Sequence, residues 1–306
     1  MEKEKKKINK QRIAQIITII TLIIFFIICT IQIPKTAKKV ELTQLQANSH
    51  RQMMGYIIKT AEDKIVVIDG GTKEDAPNLL KYIHQLGDKV DVWFITHPHS
   101  DHAGAFLEIV QNENIKINKV YYTVNEITWY QQYATERAYE AEEFVETLKK
   151  PRIVDITEEV TLNQNIEIDN IKCEILGIKN PEIIEDAFNN SSMVIKMQLQ
   201  NTSTLFLGDT GEQSGDKLLH TQKYKIKADI VQVAHHGQAG AKETLYQAIQ
   251  PKICLWPTPE WIWNNDNGEG ENTGPWETIE TRKWMDNLGV KQHIIEKDGD
   301  TTISLE

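Results

Sequence analysis

The chain has 306 residues, 40% hydrophobic and 25% charged, an ordinary globular composition that excludes a collagen-like, disordered or multi-spanning membrane protein and exceeds a small disulfide-stapled scaffold. Its formal charge of −10 hides an asymmetry: residues 1–40 hold nine Lys/Arg against Glu2 and Glu4, a balance of +7, leaving 25 basic and 42 acidic residues, or −17, over 41–306. So acidic a body repels phosphate backbones at long range, which argues against a nucleic-acid coat protein but not against a metal-centred enzyme that grips one phosphate.

From Ile13 to Ile33 run 21 consecutive uncharged residues, which as a helix rising about 1.5 Å per residue cover roughly the 30 Å hydrocarbon thickness of a bilayer. Lys3, Lys5, Lys6, Lys7, Lys10 and Arg12 precede the run and place that end in the cytoplasm by the positive-inside rule. The run is longer than the signal-peptide core of about 7–15 residues and lacks a clear small-x-small cleavage site. The expectation is a cytoplasmic tail at 1–12, a single membrane anchor at 13–33 and an extracytoplasmic domain at 41–306. Cys29 falls in the anchor, whereas Cys173 and Cys254 sit in apolar strand-like runs without any CxxC, as expected of buried thiols.

Beyond the anchor, Met54–Thr60 and Lys64–Ile68 read as strands, the second ending at Asp69-Gly70-Gly71, where glycines permit a sharp turn. Leu79, Leu80, Ile83 and Leu86 give Asp75–Leu86 helical spacing, closed by Gly87. Val90–Thr96 is an apolar strand leading straight into His97-Pro98-His99-Ser100-Asp101-His102. A helix Ala105–Gln111, a strand Lys119–Thr123 and a polar helix from about Thr135 to Lys149 continue the alternation, with Glu140, Glu142, Glu143 and Glu146 read as a solvated face around Phe144 and Leu148. The middle is strand-rich: Ile166–Ile168, Lys172–Leu176, Met193–Leu199 and Thr204–Leu207. The alternation then resumes with helices Glu212–His220, Lys242–Ile249 and Trp276–Leu288 and strands Asp229–Ala234, Lys252–Trp256, His293–Glu296 and Thr301–Leu305. Two α/β halves flanking an antiparallel middle predict two sheets packed face to face with helices outside. The stretch Pro257–Pro275 is expected to be an irregular loop over a site.

Four imidazole or carboxylate groups in the six residues 97–102 form a ligand set for Zn²⁺ or a similar ion, enough to hold parts of two sites. Three further polar groups stand just past apolar strands: Asp69, Asp209 after Leu205-Phe206-Leu207-Gly208, and the pair His235-His236 before Gly237. Singly each is a weak signal, since Asp-Gly after a strand is most often a turn. Their common position puts them at one edge of a sandwich.

On these residues the chain resembles the metallo-β-lactamase superfamily, an αββα sandwich whose metal loop is HxHxDH, over essentially residues 41–306. The resemblance implies two divalent ions, Zn²⁺ or alternatively Mn²⁺, with His97, His99, Asp101, His102, Asp209 and one of His235-His236 as ligands. His236 is favoured as that ligand, leaving His235 facing substrate, and Asp69 orients the ligand loop. Most members carry another His ligand between the metal loop and the bridging Asp, yet there is none here from Ala103 to Leu219. Asn189-Asn190-Ser191-Ser192 stands in its place, with Asn189 and Ser192 expected behind the ligands. The site built on His97 and His99 is then expected to take its third ligand from the terminal His. The departure argues against β-lactam hydrolysis and is similar to the subgroup of ComEC-type competence domains and bacterial cell-wall phosphorylcholine esterases.

Ions held this way lower the pKa of bound water and polarise a phosphoryl oxygen, with Asp101 or His235 placed to manage protons. The expectation is a membrane-anchored, extracytoplasmic, metal-dependent phosphodiester hydrolase, nuclease-like by its resemblance to ComEC-type domains. The alternatives are a phosphorylcholine or polyol-phosphate esterase of cell-wall polymer, and a binding module that keeps the fold without catalysis. Trp256, Trp261 and Trp263, crowded near Trp276, are candidate substrate-binding rings, by stacking on bases or by cation–π contact with a quaternary ammonium.

Overall fold

The computed structural model describes residues 2–30 and 39–305, which fall in two units, each taken by itself: one up to Lys38 and one from Lys39 onward. The first contains one helix, Glu2–Thr30, whose portion Glu2–Phe25 is long and apolar enough by length and composition to cross a membrane. Residues 31–33 of the expected anchor lie outside the described residues.

The second unit is a mixed α/β sandwich of two seven-stranded sheets, with a two-stranded sheet, Lys89–Val90 beside Lys116–Ile117, at the side. The first sheet runs Thr301–Ser304, Glu41–Gln44, Gly55–Lys59, Ile65–Asp69, Val92–Ile95, Val120–Tyr122, Thr157–Glu159. Its first three junctions are antiparallel and its last three parallel. The second sheet runs Gln292–Ile295, Ile253–Trp256, Ile230–Gln232, Ser203–Phe206, Val194–Gln198, Ile171–Gly177, Asn165–Ile168, parallel in its first half and antiparallel in its second.

The continuous apolar runs of the central strands follow from burial on both faces. Alternation sends Val66, Ile68, Val92 and Phe94 inward against Ile195, Phe206 and Leu255 of the facing sheet. Ile65, Val67, Trp93 and Ile95 turn outward onto Leu79, Ile83, Phe106 and Phe144 of the flanking helices. The second sheet repeats the arrangement, its outward Leu205, Val231 and Cys254 covered by Leu218, Leu245 and Met285. Each such fully buried side chain contributes about 1.5–3 kcal/mol, so the strand ends are held on a stiff frame.

Several elements depart from their sequence expectation. The helix expected from Ala105 spans Ser100–Asn112, with extended His99 as N-cap and Asp101 in its first turn. An acidic residue there is favoured by the helix dipole, so Asp101 and His102 are helical rather than part of a loop. Glu41–Gln44, Thr157–Glu159 and the helix Ile127–Tyr133 carry too little apolar periodicity to be seen in advance. The expected loop 257–275 contains a short helix, Glu260–Trp263.

Candidate metal centre

Each polar group of interest follows a strand that ends on the same edge of the sandwich. Asp69 closes Ile65–Asp69 in the left-handed region, φ 54°. Its Oδ1 accepts the Thr96 N–H at 2.7 Å, and its Oδ2 accepts the Thr96 hydroxyl at 2.7 Å and lies 2.8 Å from His102 Nδ1. That contact occupies one nitrogen of His102 and turns Nε2 toward Asp209 Oδ1, 3.2 Å away. Asp209 is reached through Gly208 at φ 56°, where a Cβ would come within 3.0 Å of Ser192 Cβ; the glycine lets the chain turn under the site.

His235 and His236 are both left-handed, at φ 49° and 54°, which sends their rings in different directions. His236 Nδ1 lies 2.7 Å from the Pro257 carbonyl, so it donates there. Its Nε2 is 3.2 Å from Asp101 Oδ2 and 3.6 Å from Asp209 Oδ2. His235 stays at the mouth, its Nε2 3.3 Å from Asn189 Nδ2 and 4.0 Å from Asp209 Oδ2.

The buried side chains form two ligand groups sharing Asp209: Asp101, His102, Asp209 and His236, and His97, His99 and Asp209. Within each group the ligand atoms lie within 4.8 Å of one another. The geometry corrects one expectation: His236 joins Asp101 and His102, not the pair His97 and His99, whose third member is Asp209. Where the missing histidine was expected, Ser192 Oγ accepts the Asp209 N–H at 3.1 Å and lies 3.3 Å from His97 Nδ1.

The donor set fits divalent metal ions. His102 Nε2, His236 Nε2 and both Asp209 carboxylate oxygens are buried without a hydrogen-bond partner among the described residues, a costly arrangement unless something binds there. Burial, with help from neighbouring imidazoles, pushes His97 well below its usual range, and burial pushes His99 down to about 3; both are neutral and ready to ligate. Burial also opposes charge on His102 and His236, yet Asp209 with Asp69 holds the first well above normal, and Asp209 with Asp101 pushes the second up to about 10. Against burial, the same imidazoles hold the Asp101 and Asp209 carboxyls well below theirs. Protons on His102 and His236 thus balance carboxylates that a metal ion would neutralise in their stead.

Residues without a sequence signal complete the surroundings. Gln52 Nε2 donates to Asp101 Oδ2 at 3.0 Å and is itself held by Gln238. Glu140, expected on a solvated face, is 5% exposed. It accepts the Ser100 N–H at 2.6 Å and both Nε and Nη2 of Arg137 at 2.8 and 3.0 Å, because its helix turns this side toward the metal loop. Arg137 Nη2 lies 3.8 Å from Asp101 Oδ1. The expected tryptophans divide. Trp256 is 0% exposed, packed edge-on against Trp263 at 5.3 Å; its outward strand position puts it in the core, so it offers no face to a substrate. Trp263 is half-buried beneath the Arg282 guanidinium, and Trp261 lines a separate cleft with Asn48, His50 and Glu296, its indole N–H bonded to the His50 carbonyl.

The family profile described as Metallo-beta-lactamase superfamily matches residues 54–249, and the chain belongs to that superfamily. ComE operon protein 3 of Bacillus subtilis (strain 168) is 28% identical over 186 residues, covering 58% of this chain and 21% of that protein; the chain spans about a fifth of that relative. Two solved structures superpose with a TM-score of 0.54, the metallo-beta-lactamase fold protein YhfI of Bacillus subtilis at 12% identity and yeast PDE1 at 11%, each covering 87% of this chain and 99% of the other. At such identity the likeness is one of fold.

Proposed function

We propose that this superfamily member is a metal-dependent phosphodiester hydrolase, anchored in the cytoplasmic membrane through residues 13–33 with residues 41–306 on the extracytoplasmic side. The observation that carries the reading is Asp209, one carboxylate common to two ligand groups, the arrangement that suits a pair of ions flanking an in-line displacement at phosphorus. Two imidazoles with carboxylate in each ligand group favour Zn²⁺, with Mn²⁺ as the alternative. The portion Glu2–Phe25, long and apolar enough to cross a membrane, and the basic residues before position 13 support the membrane placement.

The chain's own groups have distinct tasks. His97, His99, Asp101, His102, Asp209 and His236 hold the ions, Asp69 fixes the His102 tautomer, and Ser192 braces His97 and Asp209. Asp101, steadied by Gln52, accepts a proton inside the site. His235, 15% exposed at the mouth beside Asn189, stands where it can protonate a departing oxygen. Nucleic acid, cell-wall polymer and the smaller diesters carried on or released from them are phosphodiester substrates outside a cell that this function admits. Burial of Trp256 removes one ring from a quaternary-ammonium cage and weakens the phosphorylcholine form of the second.

The test uses the full chain in detergent. Bound metal should approach two equivalents of Zn²⁺ or Mn²⁺, and bis-p-nitrophenyl phosphate should be hydrolysed, with turnover abolished by His102→Ala. A folded protein inactive on phosphodiesters with every divalent metal overturns the reading; steady binding to a partner without turnover would favour the non-catalytic module.

A further inference from the structure

A cleft of about 530 Å³ opens beside the metal centre, walled by His99, by residues 132–137 and by residues 186–189. Its charged side chains are Glu136, Arg137 and Asp186, so one cation stands among acids in a body already strongly negative. Arg137 is not a loose surface residue. Two of its nitrogens are bonded to Glu140, which is buried and also receives the Ser100 N–H at the start of the helix carrying Asp101 and His102. The guanidinium is therefore tied to the same element as two of the ligands. Its side chain remains 43% exposed, and its hydrogen bonds to Glu140 run from Nε and Nη2.

We infer that Arg137 binds a non-bridging oxygen of the substrate, and that the site selects an isolated, singly charged diester rather than a long polyanion. The inference rests on the phosphodiesterase reading and adds to it the substrate class. A planar guanidinium that lines the cleft while Glu140 holds its Nε and Nη2 is matched to phosphate oxygens. The neighbouring phosphates of a polynucleotide would meet Glu136 and Asp186, where like charge repels them. A binding track for a strand needs a row of cations and stacking rings, and this cleft offers a single cation.

The experiment compares bis-p-nitrophenyl phosphate with dimethyl p-nitrophenyl phosphate, a neutral triester with the same leaving group, in the full-length wild type and in Arg137→Gln. Loss of one charge-assisted contact should lower kcat/KM for the diester roughly 10- to 100-fold and leave the triester within about threefold. Equal losses on both substrates would reduce Arg137 to a partner for Glu140 and overturn the inference while leaving the phosphodiesterase reading intact. Absence of diester hydrolysis in the wild type sinks both. Because Arg137→Gln strands a buried carboxylate, Arg137→Gln/Glu140→Gln removes the pair together and should show the same selectivity change. In the second arm, wild-type kcat/KM for oligothymidylates should not rise with length, and its logarithm should fall with log[salt] with a slope near −1 or shallower. A steep slope and a gain of tenfold or more from dimer to octamer would make the substrate a polynucleotide.

Discussion

Glu296 gives the sharpest physical test of the frame around the site. It follows the strand Gln292–Ile295 and is 1% exposed. Its Oε1 accepts the Ala47 N–H at 3.1 Å, and Oε2 has no partner among the described residues. Burial, helped by Asp75 and opposed by His236 and the Ala47 N–H, pushes the carboxyl from an ordinary 4.5 up to about 8. A group whose pKa is raised by folding stabilises the fold fully below its unfolded pKa and loses that contribution as pH rises through its folded pKa. The window here runs from about pH 4.5 to pH 8. At 1.36 kcal/mol per pKa unit, wild-type stability should fall by about 4 kcal/mol between pH 5 and pH 9 relative to a side chain that does not titrate. Glu296→Gln supplies that reference with nearly the same shape. Urea unfolding of both proteins at fixed metal concentration, followed by tryptophan fluorescence at pH 5, 7 and 9, should show their difference shifting progressively in favour of the glutamine variant as pH rises. Parallel curves would mean that Glu296 ionises freely in the folded state and would refute its burial as a neutral acid.

Asp69→Asn, which weakens the contact fixing His102, should lower metal affinity about 10- to 100-fold, read by competition with a chromogenic chelator; unchanged affinity would remove Asp69 from the support of the site. Gly104→Ala would put a Cβ 2.7 Å from Lys73 N and 2.8 Å from Thr72 C, both backbone atoms, and should cost about 1–3 kcal/mol in urea unfolding with some loss of metal binding. Trp256→Ala should destabilise by about 3–5 kcal/mol, whereas half-buried Trp261→Ala should cost under roughly 2 kcal/mol; equal melting temperatures for the two would contradict the burial of Trp256.

The histidine-rich hexapeptide, Asp209 and the His235-His236 pair were legible because each follows an apolar strand, and the two-sheet α/β architecture followed from strand and helix order. Orientation was not legible. Trp256 and Trp263 share a sequence neighbourhood with Trp261, yet which ring faces the core depends on strand parity and on the helix that covers the sheet. Glu140 looked like its neighbours Glu142, Glu143 and Glu146, because a helical wheel cannot say which flank meets a loop from forty residues upstream. Gln52 and Arg137 carry no motif; their importance lies in contacts across the fold, with Asp101 at its centre.

The pairing of Glu41–Gln44 with Thr301–Ser304 also bears on how the domain comes into being. Thr43 and Thr302, whose hydroxyls meet at 2.8 Å, stand 259 positions apart in the chain. Glu41–Gln44 therefore waits for its outer neighbour until the rest of both large sheets has been made, and contacts so distant in sequence form slowly. Until Thr301–Ser304 is in place, Leu42 and its strand keep that edge of the sheet open. The inner strands can pair in the meantime, while loss of residues 301–304 would leave a bare edge beside Leu42, a site for misassociation between chains.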